Sequence, residues 1–156
     1  MKTDRRTELR EATFLILFRM DFYPKEEMEE QVKDFFEGED GFTEAERQYI
    51  GDKVISIAEK LDEIDQVLDE YSIGWKVKRM SKVDLTILRL AYYEIKYDEK
   101  VPVSTAINEA VELAKNYGEE NSASFVNGIL AKAAKNNEWT KGLFRQPGQF
   151  LCEAPV

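Results

Sequence analysis

Apolar residues recur along this chain at helical spacing, and no stretch alternates as a convincing strand. The pattern predicts seven helices. The first runs from about Thr7 to Phe22 and is stopped by Pro24. A second carries Met28, Val32, Phe35 and Phe36 and ends at the turn "GEDGF". Thr43 and Glu46 have capping-box spacing, so a third helix starts there, carrying Ile50, Val54, Ile57, Ala58 and Leu61. A fourth holds Ile64, Val67, Leu68 and Tyr71 and breaks near Gly74. Ser81 with Asp84 marks the start of a fifth, with Val83, Ile87, Leu90, Ala91 and Ile95, which stops before Pro102. Ser104 is the expected cap of a sixth, with Ile107, Val111 and Ala114, and Gly118 suits its C′ position. Ser122 opens a seventh, with Phe125, Val126, Ile129, Leu130 and Ala133. Short turns between amphipathic helices give an all-α bundle. The tail from Asn136 has aromatic and proline residues without helical spacing and is expected to be mobile or draped on the bundle.

The first helix departs from a one-stripe pattern. Leu9, Ala12, Thr13, Ile16, Leu17 and Met20 make an ordinary core face. Arg6, Arg10, Phe14 and Phe18 form a second set at a spacing of four, a shallow spiral drifting about 40° per step. Guanidinium groups followed by rings suit an unpaired nucleic-acid strand. Arginine forks match phosphate oxygens, and rings stack on bases. The competing reading buries the rings under a second helical layer, and Phe14, nearer the core stripe, is the expected core residue.

Charge sharpens this picture. The net charge of −9 argues against nucleic acid, but its distribution does not: residues 1–25 carry +2, residues 26–70 carry −13, residues 71–100 carry +3 and the rest −1. Local charge within a Debye length, about 8 Å at physiological salt, decides what a surface attracts. The acidic middle reads as a solvated face. With no histidine, histidine-dependent catalysis and histidine metal ligation are excluded. The one cysteine, Cys152, lies in the tail without an evident base, and "GEDG" lacks the lysine and preceding strand of a phosphate loop. No enzyme, cofactor or metal is nominated. No run is long enough to span a membrane and no secretory signal is visible, so a reducing cytoplasm is the expected setting.

The second half carries a more specific pattern. "WKVKRMSKVDLTILRLAYYEI" followed by "VPVSTAINEAVELAKNYGEENSASFVNGIL" resembles the NusB family of transcription antitermination factors, over about residues 75–132, with a weaker match over 5–22. The resemblance implies an all-α fold of two packed helical subdomains within one RNA-binding domain over 1–135, an N-terminal half of about 1–72 and a C-terminal half of about 73–135. It also implies binding of a single-stranded boxA-type element in nascent rRNA, together with a small-subunit ribosomal protein acting as NusE, and action on RNA polymerase without catalysis. Members occur as monomers and homodimers.

Carried onto this chain, the family's basic pattern falls on Arg5, Arg6 and Arg10, and its Leu-Tyr/Phe pair on Leu17-Phe18. A second RNA-contacting patch falls on Asn121, Ser122 and Phe125, and Asp84 falls at a carboxylate position associated with RNA and partner contacts. Thr7 and Glu8 dilute the arginine run, Leu15 stands where glutamine is usual, and Asn121 stands where some members have Asp. Pro102, Asn108, Glu109, Asn127 and Gly128 belong to the pattern but read as structural, with Gly128 allowing close helix approach. Trp75 and Arg79 read as a stacked pair. The alternatives are a helical protein–protein adaptor that has lost RNA binding, and a free-standing relative of the NusB-like domain of rRNA methyltransferases.

Overall fold

A computed structural model describes residues 4–72 and 76–135. Its helices are α1 (Arg5–Leu17), α2 (Met28–Phe36), α3 (Glu44–Glu59), α4 (Leu61–Tyr71), α5 (Lys82–Tyr97), α6 (Val103–Tyr117) and α7 (Ser122–Lys135). Short 3-10 turns at Phe18–Asp21, Lys25–Glu27 and Val77–Arg79 join them, and there is no strand among the described residues. The all-α expectation holds. The expected break near Gly74, the Trp75–Arg79 pair and the tail with Cys152 lie outside the described residues or depend on them.

Helix starts follow local chemistry where a side-chain cap exists. Thr43 and Glu46 form the complete reciprocal box, Thr43 Oγ1 accepting from the Glu46 N–H at 3.1 Å and Glu46 Oε1 from the Thr43 N–H at 2.9 Å. Ser81 Oγ accepts from the Asp84 N–H at 3.0 Å. Four boundaries differ from expectation. Asp4 caps the first helix, which therefore begins at Arg5 rather than Thr7, and it gives way to a 3-10 turn at Phe18 instead of continuing to Phe22. Leu61 opens α4 instead of closing α3. Pro102 occupies the N-cap of α6 with φ −63° and an extended ψ, so the helix starts at Val103 and Ser104 lies in its first turn. The fixed φ of the proline ring sets that start without a side-chain cap.

Two helices form the interior. α5 buries every residue from Leu85 to Tyr92, together with Glu94 and Ile95, because it contacts α1, α3, α4, α6 and α7. A helix that is apolar nearly all round is a buried one. α1 is the other: it packs on α2, α3 and α5. Phe14 is core at 2% exposure, as expected, beside Ile16 and Leu17 at 0%. Each such side chain contributes roughly 1.5–3 kcal/mol on burial. The second apolar face of α1 is thus mostly a consequence of its central position.

Ionic groups penetrate this interior in pairs. Arg89 on α5 donates to both oxygens of Asp65 on α4, at 2.9 and 2.8 Å, and lies 3.6 Å from Asp21. Glu94, 1% exposed, accepts from Arg10 Nε with both oxygens at 3.1 Å and from Lys53 Nζ at 2.7 Å. Arg10 also reaches Glu109 on α6 at 3.3 Å, and Lys53 reaches Asp98 at 3.0 Å. This cluster ties α1, α3, α5 and α6 together.

The α6–α7 corner depends on Gly118. It is the C-cap of α6 with φ −93°, so it is not needed for a left-handed turn. A Cβ there would lie 2.5 Å from Ser122 Cβ and 2.8 Å from the Ala114 carbonyl oxygen. Close approach, not backbone freedom, requires glycine. Gly118→Ala is expected to cost about 1–3 kcal/mol through overpacking, lowering Tm by roughly 3–10 °C in thermal denaturation. Gly128 is the opposite case: an added Cβ meets nothing within 4 Å, so the expected close helix approach is absent there.

Candidate nucleic-acid interface

The three basic residues of the N-terminal pattern have three different fates. Arg5 is clamped: its guanidinium forks onto Glu46 at 2.6 and 2.9 Å, meets Glu8 at 2.6 Å and the Gly41 carbonyl at 2.6 Å, and lies over the Phe42 ring. The Arg5 bond, with the Thr43 N–H, holds the Glu46 carboxyl down at about 2. Arg5 therefore fastens the start of α1 to the start of α3. Arg10 is buried at 9%. Burial alone would lower its pKa, but the charge and hydrogen bonds of Glu94, with Glu109, more than offset this and raise it. Arg10, expected to hold a phosphate, already has its charge paired with Glu94 and Glu109 inside the bundle, because an unpaired buried guanidinium would be too costly. Arg6 alone is exposed with no side-chain ion pair among the described residues.

Phe18 also differs from expectation. It is half-buried rather than bare, with its ring 6.5 Å from Phe14 and 5.5 Å from Phe22. The fully presented ring is Phe22, at 58% exposure, with Tyr23 beside it at 42%. Lys82 Nζ lies 5.7 Å from the Phe22 centroid. At the other end of the series Tyr117, 38% exposed, sits 5.0 Å from Phe14. Its hydroxyl donates to Glu11 at 2.5 Å, and that bond, with partial burial, pushes its pKa up to about 12. Phe22, Tyr117 and Lys82 were not singled out from sequence. Their signal was faint: a doublet "FY" before Pro24 and a lysine just after a cap.

The second patch is brought together. Asp84, Asn121, Ser122 and Phe125 line one cleft of about 440 Å³ with Arg79, Met80, Ser81 and Glu119. The first turns of α5 and α7 both border it. Helix N-termini present unpaired N–H groups and a partial positive charge. Asn121 is exposed and Phe125 half-buried. Ser122 is 3% exposed and its Oγ accepts from the Glu119 N–H at 2.9 Å, so its hydroxyl shapes the corner from within. Asp84 Oδ1 is buried with no hydrogen-bond partner among the described residues. Such an acceptor costs about 1–3 kcal/mol until a donor arrives. Glu109, read as structural, is so: it partners Arg10.

A helical scaffold with a ring-lined edge and a cleft between two helix starts defines a small all-α binding protein. The chain belongs to the NusB family, whose model matches residues 7–135. It is 53% identical over 127 residues to the transcription antitermination protein NusB of Lachnoclostridium phytofermentans, covering 81% of this chain and 96% of that one. It is 50% identical over 129 residues to the NusB of Agathobacter rectalis, covering 83% and 98%. Among solved structures, T. maritima NusB aligns with a TM-score of 0.77 at 36% identity, covering 86% of this chain and 93% of that one. A complex of antitermination factors NusB and NusE with dsRNA aligns at 0.74 and 25% identity, covering 84% and 96%. NusB is a non-enzymatic antitermination factor. No described helix is long and apolar enough to cross a membrane.

Proposed function

We propose that this antitermination factor binds a single-stranded, boxA-like RNA element of nascent rRNA jointly with a small-subunit ribosomal protein acting as NusE, and that the assembly acts on RNA polymerase. The observation that carries the reading is the cleft uniting Asp84, Asn121, Ser122 and Phe125 with Arg79. Phe125 and Phe18 supply ring surface, Asp84 an acceptor for a base amino group, and Arg6 and Arg79 exposed cations. Arg5 and Arg10 serve by placing α1. The division into halves of about 1–72 and 73–135 belongs to the same reading, as a single RNA-binding domain. The relative solved with NusE and dsRNA supports RNA and NusE as the classes of partner. A single strand is favoured over a duplex because rings stack on unpaired bases.

Binding of labelled boxA-like RNA, with and without the ribosomal protein, tests this. Two phosphates neutralised by Arg6 and Arg79 give a log–log salt slope of roughly −1.4 for a single strand. Linked contacts to RNA and protein raise affinity when both are present. Binding that fails even with the ribosomal protein, or a slope near zero, would favour the adaptor reading. Equal affinity for a duplex of the same sequence would remove the role given to the rings.

A further inference from the structure

Phe22 and Lys82 have no role in the proposed binding, yet their positions join the two portions of the site. Phe22 leaves the 3-10 turn that follows α1 and meets Phe18 at 5.5 Å. Lys82 opens α5 immediately after Ser81, which lines the Asp84 cleft. The lysine ammonium over the Phe22 ring therefore connects the Phe18 edge to the residue next to Ser81 of the cleft. A ring exposed at 58% gains little from folding, so packing does not account for its presentation.

We propose that Phe22 and Lys82 form a stacking subsite for one unpaired nucleobase, on the path of an RNA strand running from Phe18 to the cleft of Asp84, Asn121 and Phe125. The ring takes the base face and the ammonium takes the adjoining phosphate. The inference rests on the RNA-binding reading above. A protein partner is disfavoured as occupant because lysine is depleted in the cores of protein interfaces, while a cation beside a ring suits a stacked base with its phosphate. Continuity with the cleft and the positive charge of Arg79 and Lys82 favour the strand.

The test uses the full chain with its ribosomal partner and a boxA-like single strand, against RNAs made abasic at one position at a time. Phe22→Ala is expected to weaken binding of the intact RNA about tenfold with an unchanged salt slope, and Phe22→Tyr to retain it. Lys82→Gln is expected to make the slope shallower by about 0.7. One abasic position should weaken the wild type yet cost the Phe22→Ala protein nothing further. Wild-type affinity in Phe22→Ala, or an abasic penalty that survives it at every position, overturns the subsite while leaving the RNA-binding reading intact. If Phe22→Ala instead abolishes self-association and leaves RNA affinity unchanged, the ring belongs to a protein contact and the subsite is likewise overturned. A wild type that binds no RNA overturns both readings.

Discussion

Glu94→Ala is expected to destabilise the protein by about 3–5 kcal/mol, the cost of breaking a buried ion pair from one side. The residue is 1% exposed and accepts from both Arg10 and Lys53, so its loss strands two cations inside the bundle. Lys53 keeps Asp98 and Arg10 keeps Glu109, which limits the damage without removing it. Against a total stability of roughly 5–15 kcal/mol for a domain, the fall in Tm should be roughly 10–15 °C. Thermal denaturation checks it. Replacing Arg10, Lys53 and Glu94 together by apolar residues of similar volume should recover much of the loss, because the desolvation cost of every charge disappears at once. A Glu94→Ala protein as stable as wild type would show that the cluster contributes nothing.

Phe18→Ala should weaken RNA binding by about 1–3 kcal/mol, or roughly 5- to 150-fold, with little change in salt slope. A ring contributes through stacking, which is insensitive to salt, whereas a cation contributes through counterion release. The ring is half-buried between Phe14 and Phe22, so the same change also removes packing. Affinity measured well below the melting temperature separates the two effects. If the folded variant binds RNA as the wild type does, Phe18 is a packing residue and nothing more.

These residues show how far a linear reading reaches. The Thr43–Glu46 box and the Ser81 cap are encoded within three residues of sequence, and both are present in the structure. The core character of Phe14 follows from its place beside an apolar stripe. Arg10 belongs to another category. Its partner Glu94 is 84 residues away, and nothing near Arg10 distinguishes a cation aimed at solvent from one aimed at a buried carboxylate. The same holds for Arg5, whose clamp on Glu46 spans 41 residues. The helix drawn through Phe22 also hid that ring. A continuous α-helix would place it one turn beyond Phe18 on the same spiral, whereas the 3-10 turn from Phe18 to Asp21 changes its direction.

Periodicity and caps were enough to specify seven helices, most of their boundaries and an all-α bundle, because helical phase and capping are interactions over three or four residues. The resemblance in the second half pointed to the cleft residues, and the bundle does gather Asp84, Asn121, Ser122 and Phe125. Which cations remain free was settled by helix packing alone. Pairing between distant charges depends on where the folded chain puts them, and a side chain facing the interior must find its counter-charge there. The bundle consumed Arg5 and Arg10, left Arg6 outside, and turned Phe22 toward Lys82.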